Sequence, residues 1–201
     1  QFTAHLIDDQ VAGAMPIAIE DFNGDLIDDI AVGSFFGNHI TLFFNDGLGQ
    51  FTSQQVASDK LKPTVVLATD VDADQDIDLV YNASLDQQSW VLFNDQGQYT
   101  SVLAHPGPDN VRGMALLDYE YDGDMDLISI SDQNGDVYLS LNQGNQVFTS
   151  QQLRSARIGG RSVLALPGHQ PALPVLVQAS NISNGVQVLQ RVDLIFANGF
   201  E

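Results

Sequence analysis

The chain contains no cysteine and few basic residues, with 7 lysines and arginines against 26 acidic residues among 201. The absence of cysteine excludes disulfides, thiolate zinc sites and a cysteine nucleophile. The formal net charge of −19 argues against a nucleic-acid backbone or an anionic membrane surface as a partner. No apolar run approaches the roughly 20 residues of a membrane-spanning helix, so membrane insertion is not expected. Cations are therefore the natural partners of this chain.

An internal repeat organises the sequence. An aromatic residue followed by threonine recurs at Phe2, Phe51, Tyr99 and Phe148, with steps of 49, 48 and 49 residues. These steps define four repeats within a single domain over residues 1–201. The repeats span approximately residues 1–49, 50–97, 98–146 and 147–201.

Each repeat contains three short apolar runs before the next aromatic–threonine segment. The runs are too short and too closely spaced for helices, and they are rich in valine, isoleucine and aromatic residues. Four antiparallel strands per repeat are therefore predicted. A four-stranded repeat of this length is typical of a propeller blade, so the predicted fold is all-β, a β-propeller of four four-stranded antiparallel blades.

Acidic loops separate the first two apolar runs in three of the repeats. Residues 21–29 (loop 1), 70–78 (loop 2) and 118–126 (loop 3) share the pattern D-x-[DNE]-x-D-x-x-x-D. Calcium takes six to eight oxygen ligands, and a curled loop can aim alternate side chains and one backbone carbonyl at the ion. Positions 1, 3, 5 and 9 supply side chains, and position 7 supplies the carbonyl. The predicted ligands of three Ca²⁺ sites are Asp21, Asn23, Asp25, Ile27 and Asp29; Asp70, Asp72, Asp74, Asp76 and Asp78; and Asp118, Glu120, Asp122, Asp124 and Asp126.

Two other interpretations of these loops fit the sequence less well. The first treats them as solvated acidic turns, but four or five carboxylates within nine residues repel one another without a cation. The second is an EF-hand, which requires a glutamate at position 12 and flanking helices. Position 12 is Val32, Tyr81 or Ser129 here, and the flanks are strand-like. Calcium loops between strands are therefore predicted.

The fourth repeat departs from this pattern. Its ligand positions fall on Pro167, His169, Pro171 and Val175, so no calcium site is expected there.

These loops, together with the hairpin sequence N-D-G-L-G-Q-F at residues 45–51, resemble the FG-GAP/VCBS repeat family. That family includes integrin α-subunit heads and many secreted bacterial proteins. The resemblance implies structural calcium loops on one rim of a propeller. It also implies a secreted, extracellular or cell-surface location of the bacterial type. The glycine usual at loop position 6 is present only as Gly123, with Leu26 and Gln75 at the equivalent positions.

No catalytic motif is present, so the chain is not expected to be an enzyme. The four histidines, His5, His39, His105 and His169, show no ligand spacing and are interpreted as surface or strand-end residues. The predicted function is a non-catalytic extracellular binding or adhesion module for a glycan or protein ligand, with structural calcium.

The two ends of the chain compete for one strand position. Residues 2–7 match the fourth strand of the other repeats and are predicted to complete the fourth blade, while residues 193–201 form another strand-like segment. The alternative function follows from this surplus: self-association through the N- or C-terminal strand would build an extracellular filament or surface fibre.

Overall fold

A computed structural model describes residues 3–58, 62–107, 110–154, 160–166, 175–180 and 185–190. All regular structure in these ranges is β-strand, which confirms the all-β prediction. The strands are β1 (Ala14–Glu20), β2 (Asp29–Ser34), β3 (His39–Asn45), β4 (Phe51–Ala57), β5 (Pro63–Thr69), β6 (Asp78–Ala83), β7 (Gln88–Asp95), β8 (Gln98–His105), β9 (Val111–Leu117), β10 (Asp126–Ser131), β11 (Val137–Asn142), β12 (Phe148–Arg154), β13 (Gly160–Leu166), β14 (Val175–Ser180) and β15 (Gly185–Gln190).

The strands form four antiparallel sheets, each an up-and-down meander of consecutive strands. Sheets 1 to 3 are β1–β4, β5–β8 and β9–β12, and the described part of sheet 4 is β13–β15. Every predicted apolar run lies in one of these strands. Antiparallel neighbours can be joined by short turns. The Asn, Asp and Gly residues at and after the ends of β3, β7 and β11, the third strands of sheets 1 to 3, form such turns to the fourth strands.

The sheets pack face to face in chain order. Successive residues of β6 point to opposite neighbours: Leu79 lies in the core between sheets 1 and 2, and Val80 in the core between sheets 2 and 3. A third core joins Ile128 of sheet 3 to Val163 of sheet 4. Because the middle sheets are covered on both faces, all six residues of β6 and of β10 are buried.

The two ends of this stack are open in the described chain. Ile17 and Ile19 on the free face of sheet 1 are 58% and 57% exposed, whereas Val66, which occupies the position of Ile17 in sheet 2, is buried. Leu164 on the free face of sheet 4 is 58% exposed. The described residues thus form three sheet–sheet cores, and a closed ring would need a fourth.

The N-terminal segment does not form the predicted strand. Residues 3–7 carry no strand, so the prediction that they complete the fourth sheet is wrong for this part of the chain; Phe2 lies outside the described residues. The segment instead follows sheet 1, where Ile7 and Val11 line a groove of about 150 Å³ with residues of β1 to β3. The Ala12 carbonyl accepts hydrogen bonds from Ser34 Oγ and from the Phe36 amide, which fixes this path. The C-terminal segment 193–201 also lies outside the described residues.

Candidate metal centre

The three acidic loops join the first strand to the second in sheets 1, 2 and 3. Their position-1 carboxylates, Asp21, Asp70 and Asp118, act alike. In each loop, one carboxylate oxygen accepts the position-5 amide at 3.0–3.1 Å, and the other accepts the position-6 amide at 2.7–3.0 Å. The position-5 carboxylate then accepts the position-7 amide at 2.8–3.1 Å. The repeated spacing of aspartates therefore folds the loop by capping its own backbone.

Loop positions 4 and 6 have positive φ in all three loops. Position 6 is Leu26 (69°), Gln75 (80°) or Gly123 (100°), and position 4 is Gly24 (75°), Ala73 (61°) or Tyr121 (62°). This left-handed conformation favours glycine and strains most other residues. Leu26 and Gln75 hold the same backbone shape as Gly123, so the absence of glycine does not change the course of loops 1 and 2.

The position-9 carboxylates are buried rather than open. Asp29, Asp78 and Asp126 are 0%, 0% and 1% exposed. One oxygen of each accepts the position-2 amide of its own loop, at 3.2, 2.8 and 2.7 Å. The other accepts the amide of the last residue or near-last residue of the third strand, at 2.7, 2.8 and 2.8 Å. Each of these predicted ligands thus already anchors its loop to the sheet.

Loop 2 brings its carboxylates closest together. Oxygen atoms of Asp70, Asp72 and Asp78 lie within 4.8 Å of one another. Asp72 Oδ1 is buried and has no hydrogen-bond partner in the structure, although a buried carboxylate oxygen normally has one. A cation between these three residues would satisfy that oxygen. The donor set therefore fits a hard divalent ion at loop 2.

The remaining predicted ligands of loop 2 lie outside this trio. The Asp74 carboxylate accepts the Asp76 amide, and the Asp76 carboxylate accepts the Gln96 amide at 2.8 Å. The sequence predicts a backbone-carbonyl role for Asp76, and its side chain in addition ties the loop to the β7–β8 turn.

Loops 1 and 3 have the same backbone but a less convergent set of carboxylates. Within the described ranges, loop 2 alone gathers three acidic side chains closely enough to hold a metal ion. In loop 1, Asn23 Nδ2 donates to Asp25 Oδ2 at 3.1 Å, so these two predicted ligands satisfy each other. Ile27 and Asp124 stand at position 7 and donate their amides to position 5, and Glu120 of loop 3 is exposed.

Burial and mutual repulsion raise the pKa of the clustered carboxyls. Desolvation raises the pKa of Asp78 to about 7 and that of Asp126 to about 6, although backbone hydrogen bonds act in the opposite direction. Desolvation, followed by the charges of Asp74 and Asp70, also raises the pKa of Asp72. Each shift reflects negative charge that the protein alone stabilises poorly.

The predicted ligand set omits three asparagines that support the loops. Asn45, Asn94 and Asn142 end or nearly end the third strands of sheets 1, 2 and 3, and their amides donate to the position-9 carboxylates. Their recurrence at the same distance from each loop was the available signal.

His105 corrects the interpretation of the histidines. It does end strand β8, but it is only 4% exposed and its ring lies 4.8 Å from the Tyr138 ring of sheet 3. Burial lowers its pKa to about 4. His5 is exposed and His39 half-buried, while His169 lies outside the described residues.

Comparison with known proteins agrees with the geometry of the loops. Residues 21–81 match the model of the FG-GAP-like repeat. This match covers loop 1, loop 2 and the strands between them. Cartilage acidic protein 1 from Mus musculus and its counterpart from Homo sapiens are each 27% identical to the chain over 163 residues, covering 74% of the chain and 25% of the relative. The chain therefore spans about a quarter of the length of these curated relatives.

Proposed function

We propose that the chain is a calcium-stabilised, non-catalytic binding or adhesion module that works outside the cell. The observation that carries this proposal is the trio Asp70, Asp72 and Asp78, each of which places a carboxylate oxygen within 4.8 Å of the other two, together with the buried, unpartnered Oδ1 of Asp72. The repeated backbone of loops 1 and 3 supports a similar site in each. In this proposal the five predicted ligands of each loop bind one Ca²⁺ ion, which gives three sites.

Calcium fits these loops better than a transition metal. The ligands are carboxylates, one amide and backbone carbonyls, and the chain has no cysteine. Hard oxygen ligands favour Ca²⁺ or Mg²⁺, and a loop of many flexible carboxylates suits the larger ion, because Mg²⁺ demands stricter octahedral geometry.

The extracellular location rests on the FG-GAP-like repeat and on the calcium loops. Moderate-affinity calcium sites fill at millimolar extracellular concentrations and stay mostly empty in the cytosol. No helix in the described ranges is long and apolar enough to cross a membrane. A protein or glycan ligand would bind on the surface outside the loops, because the loops hold the ends of the strands in place.

The sheets have the arrangement expected of blades in a β-propeller. Three sheet–sheet interfaces are already packed in chain order, and the exposed Ile17 and Ile19 occupy the positions that the preceding sheet covers in sheets 2 and 3. In a four-bladed ring, the free face of sheet 4 would cover them. The proposed domain is residues 1–201 with the four repeats given above.

Calcium titration by isothermal calorimetry tests this function. Wild-type protein stripped of metal should bind Ca²⁺, and Asp70→Ala should remove one site because it deletes a member of the trio. Asp86→Ala is the control, since Asp86 is an exposed carboxylate outside the loops. Absence of binding heat in wild-type protein, or equal loss in the two variants, would contradict the proposal.

Filament formation through terminal strand exchange remains a second prediction of the sequence. Residues 3–7 form no strand, so no described contact favours it. Sedimentation of the full chain and of a variant lacking residues 1–7 checks this alternative: large assemblies that vanish on truncation would support it, and monomers at high concentration would contradict it.

A further inference from the structure

Two buried asparagines bridge the metal loops of neighbouring sheets. Asn94 of sheet 2 is 3% exposed, and its Nδ2 donates to the carbonyl of Phe22, position 2 of loop 1, at 3.3 Å. Asn142 of sheet 3 is 1% exposed, and its Nδ2 donates to the carbonyl of Val71, position 2 of loop 2, also at 3.3 Å. Each asparagine therefore contacts the loop of the preceding sheet.

The same asparagines hold the position-9 carboxylates of their own loops. The backbone N–H of Asn94 donates to Asp78 Oδ1 at 2.8 Å, and Asp78 Oδ2 accepts the backbone N–H of Val71 at 2.8 Å. The Val71 carbonyl then accepts Asn142, whose amide donates to Asp126 Oδ1 at 2.8 Å. A continuous series of hydrogen bonds thus runs from loop 3 through loop 2 to loop 1.

Asn94 cannot turn away from this path without breaking buried bonds. Its Nδ2 also donates to the Ile77 carbonyl at 3.2 Å, and its Oδ1 accepts the Gly97 amide at 2.8 Å. Leaving such buried groups without partners is unfavourable, so the side chain acts as a rigid link. A displacement of the Asp78 carboxylate by a bound cation would therefore reach Phe22 through this side chain.

We propose that Asn94 and Asn142 are positioning residues that couple ion binding at successive loops, so that filling loop 2 raises the affinity of loops 1 and 3. This inference rests on the proposed calcium sites. Binding at one loop shifts the bridge towards the arrangement that the ion-bound state requires, so the neighbouring loop needs less rearrangement when it binds. Coupling is reciprocal, so ion binding at loops 1 and 3 raises the affinity of loop 2 by the same factor.

The two bridges differ in strength. Loops 2 and 3 share a second bond, from the Met125 amide to the Val71 carbonyl at 3.2 Å. Among the described residues, Asn94 supplies the one hydrogen bond that joins loops 1 and 2. Removing the Asn94 side chain should therefore abolish the coupling between loops 1 and 2, whereas removing that of Asn142 should only reduce the coupling between loops 2 and 3.

Asn45 provides a matched control in the same chain. Its amide donates to Asp29 Oδ1 at 2.7 Å, its Nδ2 donates to the Asp28 carbonyl at 3.2 Å, and its Oδ1 accepts the Gly47 amide at 3.0 Å. These bonds reproduce the contacts that Asn94 makes within its own sheet. In the described chain Asn45 makes no bond to the loop of another sheet.

Nuclear magnetic resonance during a CaCl₂ titration resolves the loops separately. The amide of Gly24 reports on loop 1 and that of Gly123 on loop 3, because each donates to the position-1 carboxylate of its loop. Asp70→Ala, which disables loop 2, should raise the calcium concentration at the Gly24 midpoint by roughly three- to tenfold, the equivalent of one hydrogen bond. In an Asn94→Ala background, Asp70→Ala should leave the Gly24 midpoint unchanged, and in an Asn45→Ala background the full shift should persist.

The outcomes separate this inference from the proposed function. The coupling is overturned, and the calcium sites are not, if calcium binds but Asp70→Ala leaves the Gly24 midpoint unchanged. The same holds if Asp70→Ala still shifts that midpoint in the Asn94→Ala background. Absence of calcium binding at all three loops overturns both. If circular dichroism shows that Asn94→Ala does not fold, Asn142→Ala with Gly123 as the reporter decides the question: a reduced shift supports the coupling, and an unchanged shift refutes it.

Discussion

Asp78→Ala should destabilise the protein even when no calcium is present. The Asp78 carboxylate is fully buried, and its two oxygens accept the amides of Val71 and Asn94, each at 2.8 Å. Removal of the carboxylate leaves two buried N–H groups without partners, at about 1–3 kcal/mol each. Relief of the buried charge offsets part of this loss, so we expect the free energy of unfolding to fall by about 3 kcal/mol.

Urea denaturation in EDTA at pH 8 measures this change, since Asp78, whose burial raises its pKa to about 7, is then ionised. Asp70→Ala is the comparison. Its carboxylate accepts amides at 3.0–3.1 Å on the exposed side of the loop, so its loss without calcium should change the stability by less than about 1 kcal/mol. If the two variants unfold at the same urea concentration in EDTA, the buried position-9 carboxylates do not anchor the loops and the reasoning fails.

Three further predictions follow from the loops and from His105. Removal of calcium by EDTA should lower the melting temperature by about 5–10 °C for each loop whose dissociation constant lies a hundredfold below the calcium concentration used. Differential scanning calorimetry checks this, with magnesium in place of calcium as the control. Gln75→Gly should raise the free energy of unfolding by about 1 kcal/mol because it relieves a φ of 80°, while Gly123→Ala at a φ of 100° should lower it; urea midpoints test both. Burial lowers the pKa of His105 to about 4 from an ordinary value of 6.5, so its contribution to stability is complete above pH 6.5 and is lost as the pH falls towards 4. Between pH 7 and pH 4.5 in EDTA, the free energy of unfolding of His105→Phe should therefore fall by about 2 kcal/mol less than that of the wild type, after allowance for solvent screening. An equal fall in the two proteins would refute this role.

The strands and the loop positions could be predicted from the sequence because both depend on local spacing. Apolar runs such as residues 79–81 and 127–130 lie in β6 and β10 because a run of this length between turn residues suits a sheet packed on both faces. The aspartates at positions 1 and 5 curl the loop through bonds to residues two to five positions away, so their effect is also contained in the motif.

The function of position 9 could not be predicted because it depends on a contact distant in the sequence. The Asp78 carboxylate accepts a hydrogen bond from the backbone N–H of Asn94, 16 residues further along the chain. The side chain of Asn94 in turn donates to the carbonyl of Phe22, at a separation of 72 residues. The recurrence of an asparagine 16 residues after position 9 in all three repeats is the one signal of this pairing, and the spacing alone does not say what the asparagine contacts. The path of residues 3–12 was missed for a similar reason, since an aromatic–threonine match says nothing about the competing contact between Ala12 and Ser34.

The burial of His105 likewise depends on the packing of sheet 3 on sheet 2. Spacing along the chain places the histidine at the end of a strand, but only the stacking of the sheets brings Tyr138 to 4.8 Å from its ring. A polar residue at a strand end is usually solvated, which favoured the surface interpretation.

The hydrogen bonds within the loops also change what calcium is needed for. From the sequence, 14 of the 26 acidic residues fall in the three loops and would repel one another without a cation. In the structure, many of these carboxylates accept backbone amides, and a carboxylate oxygen has two lone pairs, so it can hold an amide and a cation together. The loops can therefore keep their shape without metal. Bound calcium would chiefly compensate charge and satisfy the orphaned oxygen of Asp72, which is why chelation should lower the melting temperature without unfolding the protein at 25 °C.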